Sequence, residues 1–365
     1  MLTARGALIA FAAIALNGFP LVPCSAQSLT GAPADVGQTL ARLTIDLPKD
    51  VVGTTAVRRP LEELRRERCD QDAILHLAKA LDDLDYRREA ATAQISFSSQ
   101  CGGYAPALRG AVNLLLKLSD YTAAETVASD LIKLEPFNDN GYYLRAVARD
   151  GNQSFKGAIA DYVTAIELFG NKDRISSVGY YKMARDYERL GQFCDAMLPI
   201  EQWIALDPSR HDTSQTQAIL SDYAAKGGCA AATSGNAETF PAPGVGGVVK
   251  VSVTVNNVPG TFLLDTGASF VAVGASFAKK AKIEIEQGSS LRLHTANGIG
   301  EGQLGRADTI QLRSLKAKNV PMVVEADSAA AYGPGVEGLL GLSFLSRFNV
   351  TIDGKTVRIA PNKPK

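Results

Sequence analysis

Residues 262–269 have the sequence Phe-Leu-Leu-Asp-Thr-Gly-Ala-Ser, in which an apolar run leads directly into a carboxylate. Three apolar side chains in a row predict a strand that is buried on both faces. A carboxylate straight after such a strand is costly to bury unless hydrogen bonds or a second charge compensate it. Gly267 allows a tight turn, and Ala268 and Ser269 leave space beside the acid. This stretch therefore predicts a functional site at Asp265.

The composition is that of an ordinary globular protein with more than one domain. The chain has 365 residues, of which 46% are hydrophobic and 21% are charged, and this length suggests two domains or more. The formal net charge is zero and the sequence has no long basic block. Nucleic acid is therefore not expected as a partner, because phosphate binding needs clustered positive charge.

The first 26 residues predict a signal peptide. Arg5 precedes the apolar segment 7–16, and Cys24-Ser25-Ala26 offers a cleavage site before Gln27. The apolar segment is short for a bilayer span, so a retained amino-terminal anchor is the less favoured alternative. Pro23 argues against a lipoprotein linked through Cys24. No later stretch is long enough to cross a membrane, and we expect a periplasmic or secreted protein.

Two segments of different character follow. Residues 27–68 form a predicted leader of loops and extended pieces, which ends in a charged helix from Leu61 to Arg68 with Pro60 in its first turn. Residues 69–226 have helical periodicity, with small residues recurring at Ala124, Ala158 and Ala196, steps of 34 and 38 residues. Such a period, with small residues where paired helices cross, is typical of stacked helical repeats.

The helical segment resembles tetratricopeptide repeats over roughly three units. The resemblance is best at Tyr180, Met183, Ala184, Tyr187 and Gly191, where the spacing matches one repeat. A degenerate fourth unit is predicted at residues 70–99. The resemblance implies an all-α solenoid whose concave surface binds a protein partner or a substrate, although each aromatic side chain taken alone is better explained as core.

Four cysteines remain after signal cleavage, namely Cys69, Cys101, Cys194 and Cys229. An even number is typical of disulfides in an oxidising compartment, and four cysteines allow three pairings. We expect Cys69–Cys101, which would bracket the degenerate repeat, and Cys194–Cys229, which would join the last full repeat to the next helix. The spacing of the cysteines and the three histidines of the chain do not favour a zinc site, and no metal or organic cofactor is expected.

The period then changes from helical to alternating. Residues 227–243 are rich in Gly, Ala, Thr and Pro and are a predicted linker. In residues 244–361, valines at every second position from Val249 to Val255 predict a strand with one buried face. Further short strands, a short helical piece at 275–281 and an Asp353-Gly354 hairpin turn complete a predicted closed β-structure or barrel.

Three features of this last segment occur in a recognisable order. The first is Leu263-Leu264-Asp265-Thr266-Gly267-Ala268-Ser269. The second is the glycine-rich turn at 295–302, and the third is Gly338-Leu339-Leu340-Gly341, which leads into a short helix. Together they resemble the retropepsin-like family of aspartic proteases, in the bacterial branch with one such domain per chain. The resemblance covers about residues 244–361.

The resemblance implies a role for each matched residue. Asp265 would be the catalytic carboxylate. The Thr266 hydroxyl would hydrogen-bond across a dimer axis to hold the two catalytic loops together, and Gly267 would permit that close approach. Leu339-Leu340-Gly341 would pack beneath the loop. The substrate would contact the following residues: Ala268, Ser269, Asn297, Gly298, Ile299 and Gly300, the last four in a flap. Leu342 and Ser343 stand where the viral enzymes often carry an arginine and an asparagine.

The chemistry requires two carboxylates, one that takes a proton from water and one that gives a proton to the carbonyl oxygen. The chain has one Asp-Thr-Gly, and Ile352-Asp353-Gly354 lacks the hydroxyl residue. We therefore expect a C2 homodimer with Asp265 of both chains on the axis. Because Ala268 cannot donate the hydrogen bond that a serine there could give to the ionised carboxylate, we expect a working range nearer neutral pH than in relatives with serine.

The sequence thus predicts an exported aspartic endopeptidase in which a tetratricopeptide solenoid precedes an all-β retropepsin-like barrel. Its substrate would be an extended polypeptide, and the solenoid would recruit that substrate or a protein partner. Three alternatives stay open. Asp265 could cap the backbone amides of a turn, or the fold could be retained as a catalytically silent peptide-binding scaffold. In the third, the repeat array carries the function and the β-domain is only an assembly module.

Overall fold

The structure is a computed structural model that describes residues 34–171, 174–229, 233–242, 248–295, 298–327, 332–353 and 355–361. The predicted signal peptide, the start of the leader and Asn297 of the predicted flap lie outside the described residues. Within these ranges, the structure contains no helix with both the length and the apolar character needed to cross a bilayer.

The amino-terminal part of the described chain is helical. Its helices are α1 (Ala34–Arg42), α2 (Lys49–Gly53), α3 (Thr55–Arg66), α4 (Gln71–Asp83), α5 (Arg87–Gln100), α6 (Ala105–Lys117), α7 (Tyr121–Leu134), α8 (Asp139–Gly151), α9 (Phe155–Leu168), α10 (Ser177–Arg189), α11 (Phe193–Leu206), α12 (Pro208–His211) and α13 (Ser214–Gly227). Successive helices from α4 to α11 pack in pairs. Ala124, Ala158 and Ala196 are fully buried, as the predicted helix crossings require. The predicted repeat solenoid is confirmed, and we call α4–α11 the helical array.

The leader is a correction to the sequence prediction, because its described part is largely helical rather than loops and extended pieces. Val57, Leu61 and Leu64 in α3 are fully buried. Their spacing is that of one helical face, a signal that the proline obscured. Pro60 lies inside α3 rather than in its first turn. The leader helices share their buried core with α4–α8.

Both predicted disulfides are present. Cys69 is bonded to Cys101, and Cys194 is bonded to Cys229. The first joins the loop before α4 to the end of α5. The second joins the start of α11 to the residues after α13. Each closes a loop of more than 30 residues, for which a stabilisation of about 2–4 kcal/mol is typical.

The carboxy-terminal part of the described chain is a β-barrel. Its elements are β1 (Thr233–Ser234), β2 (Glu238–Pro241), β3 (Val249–Val255), β4 (Val258–Leu264), β5 (Val271–Gly274), α14 (Ala275–Lys280), β6 (Glu284–Thr295), β7 (Gly298–Leu312), β8 (Leu315–Glu325), β9 (Gly338–Leu340), α15 (Leu342–Leu345), β10 (Phe348–Ile352) and β11 (Thr356–Pro361). The main sheet has the order β1-β8-β5-β9-β4-β3-β7-β6, and β7 also pairs with β8. That second pairing closes a ring, which confirms the predicted barrel.

The segment 227–243 differs from the linker that its composition predicts. Thr233 of β1 pairs with Ala317 of β8, and Phe240 of β2 pairs with Val357 of β11. Phe240 is almost completely buried. The barrel therefore begins about ten residues earlier than predicted. The composition of this segment is typical of turns, but its strands form because they pair with strands that are distant in sequence.

Both faces of part of the barrel sheet are buried. On β5, Val271 and Val273 point into the barrel core, whereas Ala272 and the preceding Phe270 are buried against the helical array. The hydrophobic cluster on that outer face also includes Leu339 of β9. On β4, the strand predicted to be buried on both faces, Phe262 is fully buried but its two following leucines are half-buried.

Candidate functional site

The candidate catalytic loop starts where β4 ends. Strand β4 pairs in parallel with β9, so that Leu264 lies beside Leu340. The backbone N–H of Asp265 donates to the carbonyl oxygen of Leu340 over 3.2 Å. The Leu339-Leu340-Gly341 segment therefore directly adjoins the loop, in the place that the sequence resemblance implies.

The Asp265 carboxylate is half-buried at the start of an exposed turn. Its Oδ1 accepts a hydrogen bond from the backbone N–H of Gly267 over 2.8 Å. Thr266 and Gly267 are exposed. A Cβ added to Gly267 would lie 3.2 Å from Asp265 Oδ1, so glycine keeps the carboxylate close to this amide. The hydrogen bond fits a catalytic carboxylate and a turn-capping carboxylate equally well.

The end of the loop is fixed by the start of α15. Leu342 N–H donates to the carbonyl of Ala268 over 2.8 Å. Ser343 accepts from Val271 N–H through its Oγ over 2.9 Å, and its own N–H donates to the Ser269 carbonyl over 3.2 Å. The serine that departs from the viral pattern thus braces the loop within one chain.

Gly341 makes this bracing possible. A Cβ at this position would lie 2.1 Å from the carbonyl oxygen of Phe270 and 2.7 Å from that of Ala268. Backbone atoms cannot move aside as a flexible side chain can. Glycine is therefore required before α15 because the loop backbone approaches it closely. Its φ of −94° is one that any residue can adopt.

The predicted flap is a hairpin made by β6 and β7. Thr295 pairs with Gly298, and Leu293 pairs with Gly300. Gly298, Ile299 and Gly300 are therefore the first residues of β7, next to the hairpin tip. The structure thus places these three predicted substrate-binding residues on one hairpin, separate in sequence from the loop that contains Ala268 and Ser269.

The helical array contacts the catalytic loop, a contact that no sequence motif predicted. The Ser269 hydroxyl donates to Glu167 Oε1 over 2.5 Å, and Gln202 Nε2 donates to the Ser269 carbonyl over 3.0 Å. Glu167 lies 102 residues before Ser269 in the chain. No local pattern could have revealed this contact, because it depends on how the two parts of the chain pack.

Ionisable side chains are wholly or partly buried where the array meets the barrel. Asp195 of α11 is buried between Arg306, at 2.6 Å, and Arg347, at 3.5 Å. Burial raises the pKa of the Asp195 carboxyl, although both guanidinium groups oppose that shift. Burial also raises the pKa of Glu201, whose Oε2 accepts a hydrogen bond from Ser346 over 2.7 Å. Among the described residues, no cluster of His, Cys, Asp and Glu side chains is arranged to hold a metal ion.

Residues 251–347 match the family model of the gag-polyprotein putative aspartyl protease. The match contains the Asp265 loop, the β6–β7 hairpin and the Leu339-Leu340-Gly341 segment. It supports the resemblance of the carboxy-terminal domain to retropepsin-like aspartic proteases, which the motifs and the closed barrel had indicated.

Solved structures resemble each half of the chain. A retropepsin-like aspartic protease from Rickettsia conorii is 23% identical, with a TM-score of 0.26, and the alignment covers 35% of this chain and 93% of that one. MamA from Desulfovibrio magneticus RS-1 is 17% identical, with a TM-score of 0.37, over 49% of this chain and 98% of that one.

A tetratricopeptide protein from Thermus thermophilus is 14% identical, with a TM-score of 0.32, over 47% of this chain and 88% of that one. No match was found among curated proteins.

Proposed function

We propose that this protein is an exported aspartic endopeptidase whose catalytic dyad is formed by Asp265 from two chains. The observation that carries the proposal is the Asp265-Thr266-Gly267 turn, which presents a half-buried carboxylate at the surface on a loop fixed by Gly341 and α15. The family match over this segment supports the same chemistry.

Peptide hydrolysis by this route needs a second carboxylate within hydrogen-bond distance of the first, because the two must share a proton. The nearest later candidate, Asp353 of an Asp-Gly sequence, is engaged in its own hairpin. Its Oδ1 accepts from the backbone N–H groups of Lys355 over 3.0 Å and Thr356 over 2.7 Å, and these bonds lower the pKa of the Asp353 carboxyl. This supports a C2 homodimer in which each chain supplies one Asp265.

The substrate in this proposal is an extended polypeptide that lies between the loop and the flap. Ala268 and Ser269 would contact it from the loop, and residues 297–300 would contact it from the flap. Backbone hydrogen bonds to an extended strand give such sites their affinity, and side-chain pockets give selectivity.

The helical array would recruit a substrate or a protein partner. A cavity of about 690 Å³ on the array supports this role. Tyr121 and Phe155 provide aromatic walls, and the three cations Lys182, Arg185 and Arg189 face the single carboxylate of Asp150 around it. A ligand with negative charge and apolar surface fits such a lining.

Export is supported by the two disulfides, because disulfides persist in oxidising compartments and are rare where thiols are kept reduced. With the predicted signal peptide, they favour the periplasm or the extracellular space as the working location.

The test compares the mature wild-type protein with Asp265→Asn on a mixture of unstructured polypeptides, from about pH 3 to about pH 8. Asp353→Asn is the matched control, because it replaces the nearest later candidate aspartate by the same change of atoms. We expect cleavage by the wild type and the control and none by Asp265→Asn. Sedimentation should show a dimer for all three proteins. Full activity in a monomer would refute the shared dyad.

The second candidate function is a silent peptide-binding scaffold. The Gly267–Asp265 hydrogen bond is the observation behind it, because a carboxylate that caps a turn amide needs no catalytic role to explain it. This alternative would be established by a folded wild-type dimer that cleaves nothing at any pH and whose affinity for peptides is unchanged by Asp265→Asn.

A further inference from the structure

One helix of the array reaches both sides of the candidate active site. On α9, Thr164 and Glu167 are three residues apart and therefore lie on the same face. The Glu167 carboxylate accepts from the Ser269 hydroxyl of the catalytic loop over 2.5 Å. The Thr164 hydroxyl oxygen accepts from the backbone N–H of Arg292, in strand β6 of the flap hairpin, over 2.9 Å. A single helical turn thus connects the loop to the flap strand.

The contact with the loop is built from several groups. Gln202 of α11 is 7% exposed and donates to the Ser269 carbonyl over 3.0 Å. Phe270, the next residue, is 3% exposed and belongs to the hydrophobic cluster shared with the array. The array therefore holds the loop at Ser269, four residues after Asp265.

The contact with the flap strand is equally extensive. Arg292 Nη1 donates to the carbonyl of Pro136 over 2.6 Å, and its guanidinium lies 5.5 Å from the centre of the Phe137 ring. Leu291 and Leu293, on either side of it, are buried in the cluster shared with the array. Thr164 is itself fully buried and also donates to the Ala160 carbonyl over 3.0 Å, so its hydroxyl orientation is fixed.

We propose that α9 sets the distance between the catalytic loop and the flap strand, and that Glu167, Gln202 and Thr164 are positioning residues for catalysis. This inference rests on the proposed function. Its physical basis is that peptide hydrolysis depends on the placement of the carboxylate relative to a substrate held by the flap, and an error of about 1 Å can reduce a rate about 100-fold. The array is then part of the active site as well as a binding module.

The interface offers a matched control for this proposal. Glu201 of the array accepts from the Ser346 hydroxyl over 2.7 Å. This pair has the same chemistry as Glu167 and Ser269 and crosses the same interface, but it meets the barrel just after α15, and among the described residues neither side chain hydrogen-bonds to the loop or the flap strand. Any effect of merely loosening the interface should appear in both pairs.

The experiment measures peptide hydrolysis by full-length Glu167→Met, Ser269→Ala and the double variant, beside Glu201→Met and Ser346→Ala. We expect kcat to fall about tenfold or more in the first set, with KM changed less than about twofold in Glu167→Met, and both constants to stay near wild type in the second. The kcat of the double variant should be no lower than that of the slower single variant, because both changes remove the same Glu167–Ser269 hydrogen bond. Glu167→Gln, which keeps an acceptor, should restore most of the rate.

A readout independent of turnover is hydrogen exchange of backbone amides. Glu167→Met should speed exchange at loop residues 267–271 about fivefold, and Thr164→Val should do the same at Arg292, while the control pair leaves both unchanged. Equal effects of the two pairs on kcat, or loop exchange unchanged by Glu167→Met, would overturn the proposal. If exchange responds as expected but the wild type cleaves nothing, the structural link from α9 to the loop and the flap strand is supported and the endopeptidase proposal fails.

Discussion

The carboxylates of the helical array and the carboxylate of the catalytic loop are held in opposite ways. Asp161 of α9 is fully buried and bonded to Arg145 over 2.7 and 2.9 Å and to Arg149 over 2.9 Å. Asp265 is half-exposed, and its carboxylate accepts a hydrogen bond from a backbone amide. The array uses buried charge to fix helix positions, whereas the loop keeps its acid near the surface, where a substrate and a second copy could reach it.

This contrast limits the common inference from a shifted pKa to an active site. Strongly shifted pKa values often mark active sites, although structural ion pairs shift them as well. Here burial raises the pKa of Asp195 and Glu201, and both lie where the array meets the barrel. In this protein, these shifts mark the joints that hold the two parts together, and the sequence motif with its local geometry marks the candidate site.

The largest expected effect tests the contrast directly. Asp161→Asn removes the carboxylate paired with the partly buried Arg145 and one of the two carboxylates paired with Arg149, and breaking such a buried pair typically costs about 3–5 kcal/mol in the free energy of unfolding. Asp265→Asn should change it by less than about 0.5 kcal/mol, because the residue is on an exposed turn.

Urea unfolding followed by helical circular dichroism measures both variants. A loss of stability in Asp265→Asn that matched that of Asp161→Asn would show that the loop carboxylate is structural, as the turn-capping alternative requires.

The second effect concerns glycines. Gly341→Ala places a methyl group 2.1 Å from the Phe270 carbonyl oxygen, so the loop backbone must move, at a cost of about 3 kcal/mol. Gly37→Ala, in α1, meets no atom within 4 Å and should stabilise the helix by up to about 1 kcal/mol.

Thermal unfolding of the two variants, with the rate of peptide hydrolysis, provides the measurement. Gly341→Ala should also reduce hydrolysis, because the shifted backbone adjoins Ala268. Wild-type stability and rate in Gly341→Ala would mean that the loop can relax, and that it is not held as rigidly as its contacts with α15 indicate.

Local pattern in the sequence predicts much of this fold. The repeat alanines, both disulfides, the strand of alternating valines and the loop that contains Asp265 follow from spacing and composition. Two errors arise where a local signal competes with packing. Because proline is typical of a first helical turn, the prediction starts α3 too late, at Pro60. The composition around β2 is typical of turns and does not predict a strand, and its partner β11 lies more than 100 residues away. Glu167 and Gln202 could not be predicted, since their contacts with Ser269 arise from packing between distant segments.

The smallest expected effect separates a structural carboxyl from a catalytic one by its pH dependence. Asp186 of α10 is fully buried, and in the described part of the chain neither of its carboxylate oxygens has a hydrogen-bond partner. Burial, and next the charge of Asp150, raise the pKa of Asp186 from 3.8 to about 8. The folded protein therefore holds a proton here that the unfolded chain releases above about pH 4, so stability should fall as the pH rises from about 4 to about 8. Asp186→Asn removes this fall and should gain on the order of 2 kcal/mol at about pH 8 and nothing at about pH 4.

The exposed Asp222, paired with Lys226 at 2.8 Å, is the control, and Asp222→Asn should change stability by less than about 0.5 kcal/mol at either pH. Urea unfolding at both pH values gives the answer, and an equal gain for Asp186→Asn at the two pH values would show that the carboxyl is already ionised in the folded array.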